Sequence, residues 1–170
     1  VGYFGYDTIQ YVESRVAKTL PQNDPVASAD ILLMRSDDVV VFDNLSGMLT
    51  LITHANPQEV GAFNAAYERL DDMLDDLALA MDPSAFCPSG HNLITEADYR
   101  YSLEKEKFKN AVNEIKEYIK AGDVMQTVLS QRITVPYAAS PLSLYRALRV
   151  LNPSPYMYFL NLDNTHIVGS

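Results

Sequence analysis

Asp38-Val39-Val40-Val41-Phe42-Asp43-Asn44-Leu45-Ser46-Gly47-Met48-Leu49-Thr50-Leu51-Ile52-Thr53 holds two strand-like runs joined by four residues of turn chemistry. Val and Phe in the first run, and Leu, Ile and Thr in the second, suit a pleated surface. Just upstream, Ile31 to Arg35 is another apolar run, and the polar pair Ser36-Asp37 before Asp38 predicts a second hairpin. Three strands joined by short turns make an antiparallel meander, because parallel neighbours need long crossovers. Residues 13–30 carry Pro21 and Pro25 without a clear period and read as a loop.

Helical spacing takes over after this sheet. Asn56, Pro57 and Glu59 supply an N-cap, a proline at the first helical position and an acid at the third. Val60, Phe63, Tyr67, Leu70, Leu74, Leu77 and Met81 then recur at intervals of three and four, a single buried stripe that Pro83 ends. Residues 82–92 read as a loop. Thr95, with Asp98 three residues on, predicts the start of a longer helix with the stripe Phe108, Ala111, Val112, Ile115, Tyr118 and Ile119, and Gly122 as its C-cap. Val124 to Val135 reads as a strand. Ser140-Pro141 opens a short helix with Leu144, Tyr145, Leu148 and Leu151 inward, and Tyr156–Leu160 and Thr165–Val168 form a hairpin around Asp163-Asn164. Runs of strands followed by runs of helices predict an α+β fold with antiparallel sheet.

Composition narrows the function classes. The 170 residues suit one domain, and 48% hydrophobic with 21% charged residues excludes a disordered or fibrous chain. A net charge of −9 argues against nucleic acid, whose binding rests on clustered Lys and Arg. The single cysteine, Cys87, forms no internal disulfide and favours a reducing compartment. No apolar run approaches the ~20 residues of a membrane span, so the expectation is a soluble, cytoplasmic protein. The chain opens without Met on the apolar Val1-Gly2-Tyr3-Phe4-Gly5-Tyr6 and stops directly after a strand pattern. Both ends read as cuts through a longer chain.

Candidate chemistry is sparse. Asp71, Asp72, Asp75 and Asp76 look like a magnesium–diphosphate motif, but at 100° per residue they lie opposite Leu70, Met73, Leu74 and Leu77. They therefore read as a solvated helix face, and no metal site is assigned in this stretch. His54, His91 and His166 lack ligand spacing, and none pairs with Cys87. Gly2 and Gly5 match neither a dinucleotide nor a phosphate loop, and read as sites of close packing. In the strand after Gly122, alternation places Val124, Gln126, Val128, Ser130 and Arg132 on one face, and Met125, Thr127, Leu129, Gln131 and Ile133 on the other. The first face fits a cleft wall or a half-exposed sheet face. In Asn152-Pro153-Ser154-Pro155-Tyr156-Met157-Tyr158-Phe159, two prolines stiffen the chain. That segment fits a rigid ligand rim or a plain helix terminator.

Gly122–Arg132, Leu144-Tyr145-Arg146-Ala147-Leu148-Arg149 and Asn152–Phe159 closely resemble the large component of the anthranilate synthase family, among the chorismate-utilising enzymes. Gly2-Tyr3-Phe4-Gly5-Tyr6-Asp7 and Val39–Asp43 fit the middle of that chain as well. The resemblance implies antiparallel sheets in a sandwich with helices packed outside, of which residues 1–170 would be a central, partial domain. It implies a lyase that converts chorismate and ammonia to anthranilate and pyruvate, assisted by Mg2+, with a glutamine amidotransferase subunit supplying ammonia. It places the magnesium-binding glutamates, the acid/base histidine and most chorismate contacts downstream of Ser170, so the stretch alone is expected to be inactive. It also places Gln126 on the active-site wall, where water-using siblings carry a lysine base. Finally, it implies that Asn152, Pro155, Tyr156 and Met157 contribute to a pocket for the feedback inhibitor L-tryptophan. Two other readings stay open: a sibling making aminodeoxychorismate or isochorismate, and a non-catalytic ligand-binding module.

Overall fold

The computed structural model describes residues 1–170 except 22, 23, 25, 82–92 and 163. The loop expected over 82–92, Cys87, His91 and the turn residue Asp163 lie outside the described residues; the helix expected to run on to Pro83 already ends at Ala78, where Leu79 turns extended. In chain order the elements are β1 (Gly2–Phe4), a 3-10 helix (Tyr6–Tyr11), α1 (Ser14–Ala17), β2 (Ile31–Leu33), β3 (Asp38–Asp43), β4 (Met48–Thr53) and α2 (Ala62–Ala78). A 3-10 turn (Glu96–Asp98), β5 (Arg100–Tyr101), α3 (Lys105–Ala121), β6 (Ile133–Thr134), α4 (Pro141–Leu151), β7 (Tyr158–Leu162) and β8 (Thr165–Gly169) follow. The fold is α+β, and the strands form four two-stranded antiparallel sheets, β1-β2, β3-β4, β5-β6 and β7-β8. The chain divides into two compact units, one made of Val1–Pro83 with Pro155–Ser170 and the other of Ser84–Ser154.

In the first unit the β3–β4 hairpin forms as the sequence predicts, with Val40 opposite Leu51 and Phe42 opposite Leu49. Its turn is built by Asp43, whose carboxylate accepts from the Leu45 and Ser46 amides at 2.9 and 3.3 Å and from the Ser46 hydroxyl at 2.6 Å. Gly47 takes the left-handed φ of 69° that the turn requires. The three-stranded meander does not form. β2 pairs with β1 instead, with Gly2 opposite Leu33 and Phe4 opposite Ile31. A Cβ on Gly2 would collide with the Leu32 carbonyl oxygen, so only glycine admits this approach. Ser36-Asp37 lacks the Asn-Gly or Asp-Gly chemistry of a two-residue hairpin turn. The chain simply runs on into β3, where the Asp37 carbonyl accepts from the His54 amide at 3.0 Å.

The helix after the hairpin starts six residues later than Asn56. Asn56 accepts from the Gln58 amide at 3.1 Å and donates to Glu59 at 2.9 Å, a local turn that competes with helix. Gly61, left-handed at φ 82°, then caps α2, and Val60 is left fully exposed. Along α2, Ala66 is buried and Arg69, Leu70 and Met73 are half-buried, but Phe63, Tyr67, Leu74 and Leu77 of the expected buried stripe are exposed, as are the four aspartates. The helix packs against β4. β7 and β8 pair as expected, beginning at Tyr158 rather than Tyr156, and Leu162 is buried. The region read as loop over 13–30 includes the short α1.

In the second unit Thr95 and Asp98 form the predicted reciprocal cap, but it closes only the 3-10 turn before β5. The helix proper, α3, opens later, at Lys105, after the cap residue Glu104. Gly122 ends it in the left-handed region, with the Asp123 amide donating to the Tyr118 carbonyl at 3.0 Å. α4 begins as predicted: Ser140 Oγ accepts from the Ser143 amide at 3.1 Å, and Pro141 is the first helical residue. The strand expected over Val124–Val135 shrinks to β6, which pairs with β5 through Tyr101 and Ile133. Residues 124–132 have strand-like composition but no partner strand to satisfy an extended backbone.

Candidate functional site

The segment from Gly122 to Arg132 is irregular and held at its two ends. Its start is fixed by the left-handed Gly122 cap of α3. Its far end is fixed by Gln131, whose Oε1 accepts from the Leu103 amide and the Ser102 hydroxyl, each at 3.2 Å. Gln131 Nε2 in turn donates to the Leu103 carbonyl at 2.9 Å. Ser102 adds a backbone bond to the Arg132 carbonyl at 2.9 Å, and its hydroxyl accepts from the Arg132 amide at 3.0 Å. Gln126 lies between these anchors and is exposed, as are Met125, Thr127, Val128 and Ser130. The two-faced alternation predicted from sequence is therefore absent, because there is no pleat to produce it.

Asn152, the C-cap of α4, is exposed and donates its amide to the Leu148 carbonyl at 2.8 Å. Pro155 and Tyr156 form a turn, Tyr156 is exposed, and Met157 is half-buried at the entrance to β7. Gln126 and Asn152 belong to the unit Ser84–Ser154, and Pro155, Tyr156 and Met157 to the other. Within the latter unit, Tyr158 lies across from Gly169, and a Cβ there would overlap the phenol ring. Phe159 stacks on His166 with ring centroids 5.9 Å apart.

A polar cleft of about 360 Å³ beside the β3–β4 hairpin was not foreseen. Arg69 donates to Thr53 Oγ1 at 3.0 and 3.1 Å and to the His54 carbonyl at 2.7 Å, and lies 3.5 Å from Asp38. His54 Nδ1 sits 2.9 Å from the Asp37 carbonyl. The signal was available: Arg69 is a charged residue inside the stripe Ala66, Leu70 and Met73. Its bonds join α2 to the hairpin, which is a packing role.

Hydrogen bonds also tune three acids. The Ser46 hydroxyl and the Leu45 and Ser46 amides hold the Asp43 carboxyl below its ordinary range. The Thr95 amide and hydroxyl do the same for Asp98. Tyr11 donates to Asp30, and that bond together with the nearby negative charge pushes the phenol up. Among the described residues, no three His, Cys, Asp or Glu side chains gather as a metal set.

Residues 1–170 match throughout the family described as chorismate binding enzyme. The chain belongs to that family. It is similar to anthranilate synthase component 1 of Pseudomonas aeruginosa, with 48% identity over 170 residues, all of this chain and 34% of that protein. Similarity to the proteins of the same name from Neisseria meningitidis serogroup B and Aquifex aeolicus is 44% and 36%, again over all of this chain and 34% of theirs. The chain thus spans about a third of the length of the curated relatives it matches. In structure it resembles the crystallised anthranilate synthase component I of Streptococcus pneumoniae, with TM-score 0.79 and 27% identity over 99% of this chain and 37% of that one. The chorismate-binding match runs through both units, including the segments that carry Gln126 and Met157.

Proposed function

We propose that this chain is part of the large component of an anthranilate synthase, which converts chorismate and ammonia to anthranilate and pyruvate. Similarity of 48% to a protein of that name over every residue of the chain carries this reading. In the reaction, ammonia replaces the ring hydroxyl, which leaves as water, and elimination of pyruvate then makes the ring aromatic. Gln126 suits this chemistry. Water needs a base to become a nucleophile, whereas ammonia is competent as it stands. A neutral, exposed amide on a segment anchored at both ends orients the nucleophile without titrating near neutrality.

The described residues do not fit a magnesium site, since no acidic or histidine set converges among them. In this reading, Mg2+ is held by the remainder of the full-length enzyme, and no step is assigned to it here. A glutamine amidotransferase subunit delivers the ammonia, and the enzyme works in the cytoplasm. L-tryptophan inhibits through a pocket to which Asn152, Pro155, Tyr156 and Met157 contribute. The turn at Pro155-Tyr156 and the polarisable, half-buried Met157 support that assignment.

The test is product analysis with the full-length enzyme, chorismate, ammonium and Mg2+. Fluorescent anthranilate and stoichiometric pyruvate are expected. Accumulation of isochorismate or aminodeoxychorismate without anthranilate would replace this reading with a sibling reaction, and no turnover with either nucleophile would leave a binding module.

A further inference from the structure

We propose that Gln131 is a positioning residue for the reaction: its side chain fastens the far end of the segment carrying Gln126 and so limits where Gln126 can sit. The inference rests on the reading of Gln126 as part of the active-site wall. Two geometric facts carry it.

The first is the fastening itself. Gln131 uses both ends of its amide on one residue, accepting from the Leu103 N–H at 3.2 Å and donating to the Leu103 C=O at 2.9 Å. A side chain thereby supplies the pair of bonds that a neighbouring strand would make. Gln131 is half-buried, so the exchange of these bonds for water is restricted. Beyond them, the Ser102–Arg132 pair and β6 also tie this end of the segment down. Between the anchors, residues 124–130 make no hydrogen bond to any described residue.

The second is span. Gly122 lies at the C-terminal end of α3, and Leu103 lies two residues before its first residue, Lys105. The segment must therefore run back the whole length of the helix. The 17 residues of α3 rise about 26 Å at 1.5 Å each. Asp123 to Gln131 is nine residues, which reach at most about 30–32 Å when fully extended. Bends at Asp123 and Met125 and the reach of the Gln131 side chain take up the difference, so the bonds to Leu103 fix where the segment ends. A nine-residue segment tied at both ends has far fewer conformations than a free one, which restrains Gln126 although, among the described residues, neither a sheet nor a hydrogen bond of its own fixes it. Releasing Gln131 moves the nearest anchor one residue further on, to Arg132, and loosens the stretch that carries Gln126; a misplacement of about 1 Å near reacting groups can cost on the order of 100-fold in rate.

The test compares full-length enzyme with Gln131→Ala and Gln131→Glu. The glutamate variant keeps the acceptor for Leu103 N–H and loses the donor to Leu103 C=O, so it perturbs one bond without a change of size and keeps the test open if the alanine variant fails to fold. Expected results are faster amide exchange at Leu103 in Gln131→Ala and a fall in kcat of about 10-fold or more, with the KM for chorismate changed less than kcat. Gln131→Glu should recover toward the unsubstituted enzyme as pH falls from 8 to 5.5, because the Leu103 carbonyl and partial burial oppose the ionised carboxylate and favour the protonated form, which restores a donor. Each rate is taken as a ratio to the unsubstituted enzyme at the same pH. A kcat within twofold in both variants, or unchanged exchange at Leu103, overturns the proposal. Should the unsubstituted enzyme make a different product from chorismate, the anthranilate reading falls, and the same comparison on that product still decides Gln131.

Discussion

Gln126 and Met157 are single side chains on which most of the functional reading turns, and each has an environment that can be tested separately. Gln126 is exposed and uncharged, so removing its amide deletes the polar contact proposed for it with the reacting partners without opening a core. In the full-length enzyme, Gln126→Ala should lower ammonia-dependent turnover about 10-fold or more and leave the unfolding midpoint unchanged. Turnover equal to the unsubstituted enzyme would remove Gln126 from the site. Met157 is half-buried just before β7, where a thioether can lie against an indole face, and Pro155 stiffens the preceding turn. Met157→Thr and Pro155→Ser should each raise the tryptophan concentration needed for half-inhibition while sparing uninhibited activity. Inhibition curves that overlay in both variants would make this stretch a plain helix-to-strand connection. Spacing identified these residues poorly: nothing in the period of Asn152–Phe159 distinguishes a ligand rim from a terminator, and the resemblance supplied the choice.

At the scale of elements, α2 packs against β4 of the hairpin, and Arg69 is a polar tie between them. Arg69→Ala gives up bonds to Thr53 and His54 at a half-exposed position, which should cost about 1 kcal/mol of stability. The ion pair with Asp38, nearly as exposed, adds little to that. Arg69→Lys should not restore it, because one ammonium cannot reproduce a forked guanidinium. A urea midpoint unchanged by both substitutions would reduce the cluster to surface decoration. Local chemistry made several elements legible in advance: Ser140-Pro141 and Gly122 mark their helix ends because a cap is settled within a few residues. Asn56-Pro57 misled for a related reason, since the same side-chain bonds that cap helices also build isolated turns, and Gly61 further on won the start of α2. Pairing is less legible still. Whether Ile31–Leu33 joins β3 or β1 depends on Gly2 admitting the Leu32 backbone, and Val124–Ser130 stays irregular for want of a partner strand. The staple at Gln131 was missed because it links residues 28 positions apart.

At the scale of the whole molecule, burial and chemistry point the same way. Among the described residues only Ala66 and Leu162 are buried, and Val39, Val41, Met48 and Ile52, which share one face of the hairpin, are all exposed. Two-stranded hairpins are marginal in water without a layer to pack on. The chain spans about a third of its relatives, so a larger assembly of the same polypeptide is the natural source of that layer in the proposed enzyme. Catalysis follows the same logic, because rate acceleration needs groups that bind the transition state better than the substrate. The described residues offer an amide on a tethered segment but no converging acids or histidines. The 170-residue chain by itself should therefore bind a hydrophobic dye such as ANS far more strongly than the full-length enzyme does. It should also form no anthranilate from chorismate and ammonium, with or without Mg2+. The chain contains no Trp, so the fluorescence of anthranilate can be followed without an intrinsic indole background. Anthranilate produced above a chorismate-only blank would show that the catalytic groups lie within these residues, and would return His54, Asp38 and the acids of α2 to consideration as chemistry.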